Sequence, residues 1–260
     1  MNTKKLKTFF DQHVKLRVVS IFLLHCFVFL TFFALEFIAM SLTQVSVLFK
    51  GCERYLWLVS GLILALVYSF FVIRYLFPKQ YQFTQEKWQQ LPSLRKIAWP
   101  TVNELGFIIA VYIIAFAALS VWSTIQMTVF SKWAQDTTEN QAALDQLMNM
   151  GGRYSLIALS ILIVLIGPIM EEFLFRGVFF KTFKKSKKGY LTVFFSGLLF
   201  GLYHLGSYSW VSLLDLPPYL ILGLALAYVY QKTNKLSSSI LLHMFHNGWV
   251  QATTLYLLLH

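Results

Sequence analysis

Charge is scarce in this sequence. Only 13% of its 260 residues are Asp, Glu, Lys or Arg, about half the share of a soluble domain. Acidic residues are the scarcest, 11 against 22 Lys and Arg, which leaves a formal net charge of +11. Cysteine is nearly absent. Cys26 lies in an apolar run and Cys52 in a short loop, with no CxxC and no Cys/His metal spacing. That excludes a disulfide framework and a zinc module. What is plentiful is hydrocarbon: 57% of residues are hydrophobic, 17% are aromatic, and 25 are Phe. A water-soluble globule of this size could not hide so much apolar surface. Disorder needs the opposite composition. The reading is an all-α, polytopic transmembrane helical bundle.

Seven apolar segments can be drawn, at roughly 18–48, 55–77, 104–130, 154–180, 189–206, 216–231 and 238–258. Allowing for one hidden segment, about seven to eight membrane helices are expected. The basic N-terminus precedes a run too long for a cleaved signal, so it reads as an anchor that is retained. The lysines and arginines sit between segments, as topology determinants do. Lys4, Lys5, Lys7, Lys15, Arg17, Arg74, Lys79, Lys87, Arg95, Lys96, Lys181, Lys184, Lys185, Lys187, Lys188, Lys232 and Lys235 fall on one side. Lys50, Arg54, Lys132 and Arg153 fall on the other. This bias predicts a cytoplasmic N-terminus in a cell membrane. It also explains the net charge without a nucleic-acid partner. The connection from Pro78 to Asn103 reads as a cytoplasmic loop with an interfacial helix. The connection from Ser131 to Arg153 reads as polar.

Ionisable residues inside membrane segments are costly, so each needs a partner or a task. His25 and Glu36 stand alone in the first segment and read as paired or pore-facing. Glu104 is expected at a membrane boundary. The fourth segment carries more: SLIALSILIVLIGPIMEEFLFRGVFF. Glu172 and Arg176 are at i,i+4 and share a helix face in the favourable order. Glu171 is five residues from Arg176, so no partner awaits it in its own helix. The spacing assigns Glu172 to Arg176 and leaves Glu171 free to face a cavity, where a carboxylate suits a general base. Pro168, one turn earlier, is expected to kink the helix. The bland alternative is a helix-locking ion-pair cluster, which two carboxylates and one guanidinium would leave uncompensated.

Two further polar insertions follow. Phe200 and His204 are at i,i+4 in the fifth segment. In the seventh, His243 and Asn247 are at i,i+4, with His246 between them. Residue spacing from the basic turn puts Glu171 and His204 at similar depth. His243 comes only a short way past Lys235, so it requires an inward-dipping turn or a tilted helix.

Glu171-Glu172-Phe-Leu-Phe-Arg176 is EExxxR, Phe200-Gly-Leu-Tyr-His204 is FxxxH, and His243-Met-Phe-His-Asn247 is HxxxN. In this order, each on a membrane segment, they resemble the CPBP (CAAX protease and bacteriocin-processing, or Abi) family of intramembrane proteases. The resemblance covers about residues 154–258. It divides the chain into N-terminal membrane helices over 1–153, without a recognised motif, and a catalytic helical core over 154–260. It implies an endopeptidase acting on a membrane-associated peptide or prenylated substrate, linked in bacteria to bacteriocin self-immunity or peptide maturation. By motif, Glu171 would activate water, His204 would assist, and His243 and Asn247 would stabilise the oxyanion. Glu172 and Arg176 would support the site. His246 leaves the assignment within HxxxN open. Relatives are commonly labelled metalloproteases, yet HExxH is absent. Zn²⁺ on Glu171, His204 and His243 stays open, and a metal-independent glutamate mechanism is favoured. Two other classes compete: an ion-coupled transporter, for which no internal repeat is found, and a non-catalytic immunity or scaffold protein that keeps the fold.

Overall fold

The structure, a computed structural model, describes residues 3–77, 97–135, 137–183 and 189–259. Among them are eight helices and no strand. These are α1 (Thr3–Val45), α2 (Gly51–Leu76), α3 (Val102–Val129), α4 (Glu139–Met150), α5 (Gly152–Phe183), α6 (Tyr190–Tyr203), α7 (Leu216–Thr233) and α8 (Leu236–Leu259). The all-α bundle read from composition is what the chain forms. Each of the seven apolar segments is one helix. The eighth, α4, arises in the connection read as polar, where the Thr138 side chain caps it by accepting from Gln141 N at 3.3 Å. Cys52 lies in the first turn of α2 rather than in a loop. The interfacial helix expected after Pro78 falls largely on residues 78–96, outside the described residues, as does the lysine run at 184–188.

The count of membrane helices needs correction. Five stretches are long and apolar enough to cross a bilayer: Val19–Leu48, Gly51–Leu76, Val102–Val129, Gly152–Phe183 and Ser212–Thr233. Helix α6 has 14 residues, a rise of about 21 Å against about 30 Å of hydrocarbon. Helix α8 has 24 residues but is too polar, carrying Ser237, Ser238, Ser239, His243, His246, Asn247 and Gln251. Its polarity is turned inward: Ser238, Ser239, His243 and Gln251 are buried.

Local chemistry sets the joints. Thr101 and Glu104 form a capping box at the start of α3, which satisfies two otherwise orphaned N–H groups. Glu104 also accepts from Lys235 Nζ at 2.6 Å, and Lys235 donates to Trp99 O at 3.1 Å. Glu104 is thus a helix-end residue, in the first turn of α3, and it ties α3 to the α7–α8 turn. That turn is tight because Asn234 takes a left-handed conformation, φ 53°, which Asn tolerates. Lys235 is buried under these contacts, and further along α8 His243 reaches Glu171, its Nε2 3.9 Å from Oε2. Helices α6 and α7 approach backbone to backbone. A Cβ on Gly197 would stand 2.9 Å from Leu224 N, and one on Gly223 would stand 2.8 Å from Gly197 O.

Helix α5 is not a regular helix. It widens into π-helical turns at Leu162–Ile166 and Phe173–Val178. In the first, Gly167 N–H bonds Leu162 O, five residues back. The next bond in that register would run from residue 168 to Ile163 O, but Pro168 has no N–H. Asn247 fills the gap, its Nδ2 donating to Ile163 O at 2.9 Å. Two more side chains reach α5 carbonyls: Tyr68 Oη donates to Met170 O at 2.8 Å and Ser196 Oγ to Phe175 O at 2.7 Å. The distortion expected at Pro168 is therefore a wide turn whose exposed carbonyl is held by Asn247 of α8. Such turns recur at functional sites.

Candidate active site

The two adjacent glutamates do different things. Glu172 and Arg176 are fully buried and joined by a 2.8 Å ion pair. Arg176 also donates to Gly223 O at 2.9 Å, and its guanidinium lies 4.8 Å from the Phe200 ring centroid, a cation–π contact. Glu171 turns away into the cavity. Its Oε2 is buried without a hydrogen-bond partner. The division of labour read from i,i+4 spacing is present.

Two imidazoles converge on that same oxygen. His204 Nε2 is 3.5 Å and His243 Nε2 3.9 Å from Glu171 Oε2. The far nitrogens fix the tautomers. His204 Nδ1 lies 2.8 Å from Phe200 O, and His243 Nδ1 lies 3.1 Å from Glu172 Oε1. Both partners only accept, so both Nδ1 atoms carry the proton. In neutral rings, both Nε2 lone pairs then point at a carboxylate oxygen. Such an arrangement calls for a proton or a water between the groups. Phe200 is the plate on which this is assembled. Its ring is 4.4 Å from that of His204 and 5.4 Å from that of His243.

Asn247 and His246 line the same cavity as Glu171, His204 and His243. Asn247 spends one amide hydrogen on Ile163 O and keeps the other. His246 faces α3, its Nδ1 3.4 Å from Tyr112 Oη; within the HxxxN motif, His243 is the ring that reaches the glutamates. Glu36 is paired, as the sequence reading allowed: it is fully buried and accepts from Tyr203 Oη at 3.0 Å. His25 is not brought in. Its Nδ1 lies 2.6 Å from Ile21 O and its ring packs near Phe183.

Sequence reasoning missed Tyr219. Its ring stacks on His204 at 4.9 Å and 23°, and its Oη lies 2.6 Å from Thr138 Oγ1 at the start of α4. No spacing rule links Tyr219 to His204, because they lie on different helices joined by a loop. The cavity measures about 460 Å³.

Among the described residues no group of three or more His, Cys, Asp or Glu is arranged to hold a metal ion. Glu171, His204 and His243 share one oxygen's surroundings without meeting that arrangement.

Residues 153–249 match the family described as type II CAAX prenyl endopeptidase Rce1-like. Among curated proteins, three of Lactococcus lactis subsp. lactis (strain IL1403) are similar. UPF0177 protein YajF is 30% identical over 142 residues, 53% of this chain and 60% of its own. UPF0177 protein YaiF is 41% identical over 93 residues, 35% of this chain and 36% of its own. UPF0177 protein YxdF is 34% identical over 92 residues, 35% of this chain and 48% of its own. The chain therefore spans between about a third and three-fifths of the length of these relatives. No solved structure matches it.

Proposed function

We propose, from the premise that residues 153–249 belong to the Rce1-like type II CAAX prenyl endopeptidases, that this multi-pass membrane protein hydrolyses a peptide bond inside the bilayer. The observation that carries the reading is the convergence of two imidazole Nε2 atoms on the unpartnered Oε2 of Glu171. A water between Glu171 and His204 gives its proton to the carboxylate as its oxygen attacks the carbonyl carbon. The carbonyl oxygen becomes an oxyanion. The free amide hydrogen of Asn247 donates to it, with the His243 ring beside it. Collapse breaks the C–N bond, and the proton held by Glu171 leaves with the amine. Glu172 holds His243 through Nδ1, and Arg176 holds Glu172, so neither reacts. The membrane is the cell membrane of a bacterium, with the N-terminus in the cytoplasm, in keeping with the lysine bias and the bacterial relatives.

The test compares the membrane and secreted peptides of cells carrying the wild-type chain with those of cells carrying Glu171→Ala. A peptide cleaved only by the wild type, at equal protein level, supports the reading. Identical peptide sets at equal levels would remove it. Chelation of the purified protein decides the metal question separately: loss of cleavage restored by Zn²⁺ would replace the water mechanism with a metal-assisted one.

A further inference from the structure

The cavity does not stop at the glutamate. It runs from Glu171 between α1, α3, α7 and α8 to the α3–α4 connection and the first turn of α4, where Gln135 and Gln141 line it. Its long walls are residues 37–44 of α1 and 119–127 of α3. The second wall rises about 12 Å, room for three to four residues of extended chain at about 3.3 Å each.

These walls present Ser41 and Gln44 from α1, and Ser123 and Gln126 from α3. None of the four has a side-chain hydrogen-bond partner among the described residues. The hydroxyls beside them behave differently. Ser120, Thr124 and Thr128 of α3, none of them lining the cavity, return their hydroxyls to the carbonyl four residues back, at 3.0, 3.0 and 2.7 Å. Thr31 and Thr43 of α1 do the same at 2.9 Å each. A polar group in a membrane helix must find a partner. The five hydroxyls just named find it in their own backbone, while Ser41 and Ser123, facing the cavity, are left for whatever occupies it. The wall is also neutral. Neither 37–44 nor 119–127 contains a charged residue; the cavity's carboxylates lie off these walls, at Glu171 and at Asp215, whose Oδ2 accepts from Glu139 N at 2.8 Å.

We infer that the substrate is an uncharged, extended peptide without a prenyl group. It threads from the α3–α4 end, and its backbone amides pair with Ser41, Gln44, Ser123 and Gln126. A prenyl chain lying there would strip these amides and hydroxyls of water and return nothing. All four residues lie outside the stretch matched by the family, 153–249, so selection of substrate belongs to the other part of the chain. The inference rests on the endopeptidase reading for the cleavage it serves.

The test uses the full chain in lipid nanodiscs with quenched fluorescent peptides, each prepared unmodified and S-farnesylated on one Cys. Glu171-dependent cleavage of unmodified peptides is expected. Gln44→Leu with Gln126→Leu should raise KM about tenfold with kcat held within about twofold. The gentler pair Ser41→Ala with Ser123→Ala should raise KM by about threefold. Cleavage that requires the farnesyl group, or an unchanged KM in both pairs, would overturn the inference and leave the endopeptidase reading standing. If neither peptide is cleaved, the endopeptidase reading fails, and binding decides the rest. A benzophenone-bearing unmodified peptide should then crosslink Glu171→Ala protein on α1 and α3 and be displaced by unmodified peptide. Absence of such crosslinks, or displacement only by farnesylated peptide, would overturn the inference.

Discussion

The first three spans and the two later ones are built on different terms. In the most apolar windows of α1, α2 and α3, 11, 22 and 17% of residues are buried, against 39% in α5 and 44% in the span that includes α7. The early helices turn large side chains outward, among them Leu66 and Ile114, each more than two-thirds exposed in the isolated chain. Lipid and these side chains are equally apolar, so little there is specified beyond length and hydropathy. Helix α5 instead buries Glu171, Glu172 and Arg176, whose charges call for placed neighbours: Arg176 for Glu172, and two imidazoles around Glu171. The lesson is that a membrane protein writes readable motifs only where protein meets protein. Elsewhere the bilayer accepts many sequences.

Substitutions can break that contrast or sharpen it. The largest effect is expected at Glu171→Gln, which keeps the shape and removes the base: kcat/KM should fall by about 10²–10⁴-fold in a peptide-cleavage assay while the protein still accumulates in membranes. Arg176→Ala should be nearly as severe in a different currency. It leaves Glu172 buried and unpaired, at a cost of about 3–5 kcal/mol, so membrane protein level and thermal midpoint should drop together with activity. Tyr219→Ala removes the ring stacked on His204, an interaction of about 0.5–1.5 kcal/mol. Activity should fall by about threefold to tenfold at normal protein level, with Tyr219→Phe retaining most of it; equal loss in both would transfer the role to the Thr138 contact. Ile114→Val on the outward face of α3 should shift stability by less than about 0.5 kcal/mol, read as an unchanged thermal midpoint. A large shift there would show that α3 packs against a partner rather than lipid.

How much was legible follows the same division. EExxxR gave the pair Glu172–Arg176 and the freedom of Glu171, because a four-residue step on a helix is a short-range fact. FxxxH and HxxxN gave His204 and His243, although only the structure explains Phe200, whose ring carries both imidazoles and receives Arg176. The seven apolar segments were legible as helices. Their number as spans was overestimated, since α8 is amphipathic toward its own protein and α6 is too short to cross. Helix α4 was missed because its polar composition masks the cap at Thr138. The Tyr219–His204 stack and the Tyr203–Glu36 bond join different helices, and no local pattern encodes such pairs. His243 was legible as a residue but not as a position, because its nearness to Glu171 depends on how α8 packs against α5.

The wide turn at Leu162–Ile166 has a consequence for how this chain tolerates change in length. It holds one residue more than an ordinary turn, and Asn247 sits on the carbonyl that the surplus exposes. Removing that one residue would close the wide turn to an ordinary one and leave the helix beyond it in the same rotation, so Glu171, Glu172 and Arg176 would keep their directions. A residue removed from a regular turn between Gly152 and Ile161 would instead rotate everything after it by about 100°. The wide turn therefore absorbs a change of length that an ordinary turn would pass on to the twin acids.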